Sequence, residues 1–207
     1  MFSQSLNIWK KTIILWSKMV NETLQILTLL IGNQEEVFSI RKISRLRDIN
    51  YKSAYKAVHA LEQKGLARLQ RIGNTIACSF TQKFDEMVFH AESMRRDELL
   101  RNKDFLVLHN RLDALPFPFI ALLFGSYAKG TATKHSDIDI LTIGGDQKEI
   151  KATLSLLPDK IHLTPVAYQD CMAMAKSREF TVVSEALKKN VILLGIGEYY
   201  RMLKNAH

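Results

Sequence analysis

Residues 122–143 read LLFGSYAKGTATKHSDIDILTI. An apolar run ends in Gly125-Ser126, and after ten intervening residues Asp137 and Asp139 stand one residue apart, followed by ILTI. FIALLF (119–124) reads as a buried strand, and DIDILTI (137–143) alternates like a half-buried one. Period-two geometry then puts Asp137 and Asp139 on one face and turns Ile138 and Ile140 to the core. Two carboxylates held that close repel unless a cation sits between them. Glycine lets a phosphate approach the backbone, and amide N–H groups with the Ser126 hydroxyl are suited to hold its oxygens. Paired carboxylates suit Mg²⁺, or Mn²⁺, bridging those same phosphates. The expected ligand is a nucleoside triphosphate, and the expected chemistry is phosphoryl transfer, which needs mostly positioning and charge neutralisation.

Glycine, serine, the ten-residue gap and the Asp-x-Asp pair together resemble the signature of the DNA polymerase beta-type nucleotidyltransferase superfamily. The GSYAKG…SDIDIL wording is most similar to the minimal nucleotidyltransferases, and the resemblance covers about residues 115–200. It implies a mixed sheet flanked by helices, two divalent ions, and transfer of a nucleoside monophosphate, with ATP as the expected donor, to an acceptor hydroxyl. Carried over by motif position, Gly125 and Ser126 would cradle the triphosphate, and Asp137 and Asp139 would ligate the metals. Lys129 occupies the basic position of the family's turn; it is read either as a nucleotide contact or as a solvent lysine. Tyr127 is read as packing. By resemblance to minimal nucleotidyltransferase antitoxins, one acceptor is a tyrosine on a partner HEPN-type toxin.

The family pattern is incomplete here. Active members generally carry a third carboxylate on a neighbouring strand, which should be KIHLTPVAY (160–168). With Ile161 and Leu163 inward, the site face receives His162 and Thr164, and no acid. Asp159 precedes the strand and reads as a turn residue. His162 is open to two readings, a base or metal ligand and a plain polar substitution. In the tail, Glu185 and Glu198 read as surface residues, and Tyr199-Tyr200 either pack or present hydroxyls.

The preceding region is of another character. Residues 1–80 hold 12 Lys and Arg against 5 Asp and Glu, and residues 81–207 hold 17 against 16, so nearly all of the net +8 lies in the first part. Helices are expected over NETLQILTLLI (21–31), with Leu24, Leu27, Leu30 and Ile31 on one face, and over SIRKISRLRDI (39–49), with Ile40, Ile43 and Leu46 apolar. A third follows Asn50, with Ala54, Ala57, Val58 and Leu61 inward, and strands LARLQ and TIACSF flank a turn at Gly73-Asn74. Three helices and a hairpin are the order of a winged helix-turn-helix. The outer face of the third helix carries Lys52, Lys56, His59 and Gln63, with Arg68 and Arg71 on or beside the wing. Such a face suits double-stranded DNA, lysines near phosphates and the first turn near base edges. A dimerisation or docking module is the bland alternative, with His59 a solvent histidine. A homodimer is expected because winged helices often read two half-sites.

The expected fold class is therefore α+β: a winged helix-turn-helix over residues 1–80, one long exposed connecting helix over 81–114 closed by Pro116 and Pro118, and a nucleotidyltransferase-like domain over 115–207. No run approaches the ~20 apolar residues that span a bilayer; TIILW (12–16) is too short for a secretory core. Cys78 and Cys171 are distant and suggest neither a disulfide framework nor a thiolate metal site. A cytoplasmic protein without membrane partners is expected. Three functions compete: a metal-dependent nucleotidyltransferase with a DNA-binding module, a DNA-binding regulator that senses nucleotide without turnover, and a scaffold that uses both domains only for assembly.

Overall fold

The computed structural model describes residues 21–157, 160–176 and 181–206. The chain divides into two compact units between Ala91 and Glu92. It is a mixed α and β structure with one antiparallel and one mixed sheet. TIILW and Asp159 lie outside the described residues.

In the first unit, helix α1 (residues 21–32) buries Ile26, Leu27, Leu30 and Ile31, while Leu24 is only half-buried. A two-residue strand β1 (Phe38–Ser39) then leads into α2 (Ile40–Leu46), which Ser39 caps by accepting from the Lys42 amide. Ile40 and Ile43 are buried, but Leu46 is 53% exposed. A three-residue spacing falls short of the 3.6-residue turn, so by the third step the side chain has rotated off the inner face. Helix α3 (Tyr51–Gln63) starts where Asn50 Oδ1 accepts from the Ser53 amide at 2.9 Å. Its stripe of Ala54, Ala57, Val58 and Leu61 is completely buried. Strands β2 (Ala67–Ile72) and β3 (Thr75–Phe80) pair antiparallel, Ile72 facing Thr75 across Gly73-Asn74. The sheet order is β1-β3-β2.

Residues 81–114 do not form one exposed helix. They hold α4 (Glu86–Leu99) and α5 (Lys103–Asp113), because the Asn102 side chain accepts from the Asp104 amide and starts a new helix. Nor are they merely exposed: Glu92 is 1% exposed, and Phe105, Leu108 and Leu112 are buried.

The second unit is built on a four-stranded sheet in the order β6-β5-β4-β7. Strand β4 (Ile120–Phe124) pairs antiparallel with β5 (Ile138–Ile143) and with β7 (Val191–Leu194). Strand β6 (Ile161–Val166) runs parallel to β5 and is reached through α7 (Gln147–Leu154). Pro165 is tolerated because β6 is an edge strand. One face of the sheet, with Ala121, Leu123, Ile138 and Ile140, packs on Phe105, Leu108 and Leu112 of α5 and on Ile150 and Leu154 of α7. Leu122, Leu141 and Ile143 point the other way by period two and are equally buried, so β5 is covered on both sides beyond Asp139. Helices α6 (Gly125–Lys129), α8 (Tyr168–Lys176), α9 (Val182–Lys188) and α10 (Ile196–Ala206) complete the unit. Among the described residues, no helix is long and apolar enough to cross a membrane.

Candidate nucleotide site

The antiparallel pairing of β4 and β5 sets Phe124 opposite Asp139, so the residue after Phe124 turns directly over that carboxylate. Gly125 makes the turn with φ +69°, a left-handed conformation that side chains other than hydrogen rarely adopt. A Cβ on Gly125 would lie 2.1 Å from Asp139 Oδ2 and 2.9 Å from its Cγ. The glycine is thus required twice, by its backbone angle and by the acid packed against its α-carbon. Phe124, which precedes the five-residue α6, gives that helix no side-chain cap. Ser126 follows in the first turn, and its carbonyl accepts from the Thr131 amide at 3.0 Å where Gly130, at φ +72°, ends the helix.

Asp137 lies one residue before β5 and is exposed, whereas Asp139 lies within the strand and is half-buried. The strand is therefore one residue shorter than DIDILTI suggests. The parallel register of β5 and β6 sets His162 beside Asp139. His162 Nδ1 is 3.4 Å from Asp139 Oδ1, and the histidine side chain is 69% exposed. Thr164 stands beside Leu141, on the same face two residues further along. Among the described residues, no three His, Cys, Asp or Glu side chains converge closely enough to hold a metal ion by themselves.

Lys129, in α6, forms an ion pair with Glu185 of α9. Glu185 is therefore a neighbour of the motif rather than an isolated surface acid. Nothing in its sequence context announces this, because 56 residues separate the partners. Its helix starts with Thr181 and Ser184 in a reciprocal capping box. Tyr127 packs edge-on against Phe105, ring centroids 5.1 Å apart. Tyr199 and Tyr200 are buried with their hydroxyls bonded internally, to the Leu187 carbonyl and to Glu92. Burial pushes both hydroxyls far above the usual tyrosine range. The cavity lined by Leu112, Phe117, Phe119 and Leu194 lies at the Ile120 end of β4, away from Gly125.

In the first unit, Lys52, Lys56, Arg68 and Arg71 are exposed. Arg71 Nε donates to the Gly73 carbonyl at 3.1 Å, which holds the guanidinium at the hairpin turn. His59 is half-buried, its Nδ1 3.1 Å from Glu62 Oε2. The sequence reading passed over Tyr51 and Tyr55, which are 53% and 41% exposed on the same helix. The rings of Tyr51, Tyr55 and His59 follow one another at 6.4 and 4.4 Å. Their four-residue spacing was the available signal.

Residues 119–192 match the family model described as nucleotidyltransferase domain. The match contains the Gly125 turn, both aspartates and β4 through β6. No curated protein matches the chain. Among solved structures, an apo-form mutant of Lactococcus lactis ZitR is 20% identical over 53% of this chain and 82% of its own, with a TM-score of 0.32. A toxin–antitoxin with AMP-PNP is 18% identical over 50% of this chain and 82% of its own, with a TM-score of 0.34. Neither likeness is close enough to carry an argument; the domain match at 119–192 supports the nucleotidyltransferase superfamily.

Proposed function

We propose that the chain is a metal-dependent nucleotidyltransferase that moves a nucleoside monophosphate, AMP in the first instance, from its triphosphate to a hydroxyl of a protein or small molecule. The observation that carries this reading is the Asp139 carboxylate lying against the α-carbon of Gly125, within a matched nucleotidyltransferase domain. A glycine turn and an acid held in contact bring phosphate-binding amides and a metal-binding oxygen to one point.

The donor set is compatible with a divalent ion: two carboxylates one residue apart, oxygen ligands of the kind Mg²⁺ and Mn²⁺ take. Because no three side chains among the described residues form a ready cage, triphosphate oxygens would complete the coordination. Asp137 and Asp139 would hold the ion, which when bound neutralises charge on the transferred phosphorus group. Gly125 keeps the backbone open to the triphosphate, and Ser126 offers its hydroxyl and amide. Lys129, paired with Glu185 at the end of α6, would exchange that partner for a phosphate oxygen. Incubation with labelled ATP, Mg²⁺ or Mn²⁺ and acceptor-containing lysate tests the proposal. Transfer of label by the wild type and its loss in an Asp137→Ala, Asp139→Ala double variant is expected; equal labelling by both rejects it.

The first unit supports a DNA-binding role beside this activity. Helix α1, the pair α2–α3 and the β2–β3 hairpin follow the order of a winged helix-turn-helix, with Lys52, Lys56, Arg68 and Arg71 exposed. One observation favours a second reading, a DNA-binding regulator that holds nucleotide without turning it over. Histidine, not a carboxylate, stands beside Asp139 on β6, so the carboxylate base expected to take the acceptor proton is replaced there by an imidazole. That reading predicts nucleotide uptake with no transfer to any acceptor.

A further inference from the structure

His162 and Asp139 are paired across β5 and β6, and their facing atoms are 3.4 Å apart. Adjacent ligands of an octahedral ion with bonds of ~2.1 Å are ~3 Å apart, so this spacing suits two neighbouring positions on one ion. The imidazole is also 69% exposed on an edge strand, where neither packing nor a buried partner explains it. A salt link here would be weak, because water screens an exposed pair. We propose, resting on the nucleotidyltransferase reading, that His162 is itself a ligand of the triphosphate-bound ion and makes the site select a first-row transition ion over Mg²⁺.

The chemistry follows from ligand type. Mg²⁺ is hard, keeps oxygen ligands and gives up water reluctantly, so an imidazole nitrogen in its shell is a poor exchange. Divalent manganese and cobalt accept a mixed shell of carboxylate, imidazole and phosphate oxygens, with affinity for nitrogen rising along the first row. Replacing a carboxylate by imidazole also removes one negative charge, which weakens the attraction for any dication and hurts Mg²⁺ most. Because no three such groups converge among the described residues, ion and triphosphate should be taken up together.

Electron spin-echo spectroscopy of the full chain with Mn²⁺ and a non-hydrolysable ATP analogue tests this directly. Phosphorus coupling reports the triphosphate on the ion; nitrogen coupling reports an imidazole. Wild type should show both, and protein carrying ¹⁵N-labelled histidine should show the nitrogen signal altered with no substitution at all. His162→Asp should keep the phosphorus coupling and lose the histidine nitrogen. Calorimetry should find analogue binding about tenfold tighter with Mn²⁺ or Co²⁺ than with Mg²⁺ in wild type, with the preference reduced in His162→Asp. Phosphorus coupling without any effect of ¹⁵N-histidine labelling overturns the assignment of His162 and leaves the nucleotide reading standing. Absence of protein-dependent phosphorus coupling overturns both.

Discussion

Gly125 is the residue at which two constraints meet. Its φ of +69° already disfavours any Cβ, and a Cβ there would collide with Asp139 Oδ2 at 2.1 Å. Gly125→Ala is expected to cost ~1–3 kcal/mol in backbone strain and to push the carboxylate off the turn. Thermal melting reads the first effect. Calorimetry with Mn²⁺ and a non-hydrolysable triphosphate reads the second, which should fall at least as far as in Asp139→Asn. A variant that melts earlier yet binds normally would show that the contact serves folding alone. The glycine and the acids were legible in the sequence because spacing and period two are local properties of two strands. The closeness of Gly125 to Asp139 was not, since it depends on the register that sets Phe124 against Asp139. Glu185 was hidden for the same kind of reason: only tertiary packing brings α9 to Lys129.

Helices α4 and α10 show what an element-scale reading missed. Glu92 of α4 is almost completely buried; its Oε2 is 2.6 Å from Arg95 Nη1, and its Oε1 accepts from the Tyr200 hydroxyl at 2.7 Å. Arg95 also donates to the Asn190 carbonyl, and Asn190 Nδ2 donates to the Ala186 carbonyl and the Tyr199 hydroxyl, tying the end of α9 to α10. Glu92→Ala would leave Arg95 as a buried charge without its counter-ion, and a loss of ~3–5 kcal/mol is expected from urea unfolding. Tyr200→Phe removes one hydrogen bond and should cost less, ~1–3 kcal/mol. If Glu92→Ala unfolds at the wild-type midpoint, the network contributes nothing net. From sequence, residues 81–114 look like one polar helix because no Gly or Pro interrupts them. The break is an asparagine cap, and the burial of Glu92 comes from partners about 100 residues away. Helix α3 was legible by contrast, because Ala54, Ala57, Val58 and Leu61 carry the whole i, i+3, i+4, i+7 signal themselves.

At the scale of the whole molecule, the charge lies almost entirely before residue 80 and the matched domain lies after residue 118. If the basic face of α3 meets DNA phosphates, Lys52→Ala with Lys56→Ala should weaken binding across sequences and lower the salt slope by about 2, which anisotropy titrations at several salt concentrations measure. Nucleotide uptake should be unchanged in that variant.

The chain also carries one cysteine in each unit, Cys78 and Cys171, both buried. Burial pushes the Cys78 thiol up to about 12, helped by the negative charge of Glu62, and burial pushes Cys171 up to about 11. The folded state therefore holds these protons longer than the unfolded chain does. Between the ordinary thiol range and the folded value, the unfolded state binds fewer protons, so stability falls as pH rises. The contribution is fully present below about pH 8.5 and is lost above it. From pH 8 to 10.5, each unit should lose roughly 2 kcal/mol through its thiol. The second unit should lose ~1 kcal/mol more for each of Tyr199 and Tyr200, whose hydroxyls are also held protonated by burial. A short pulse of alkylating reagent along a urea series, read by peptide mass spectrometry, reports the two units separately through their own cysteines. Both midpoints should move to lower urea at pH 10.5, the Cys171 peptide further than the Cys78 peptide. A Cys171 midpoint that shifts no further than that of Cys78 would mean that the tyrosine network opens to water before the unit unfolds.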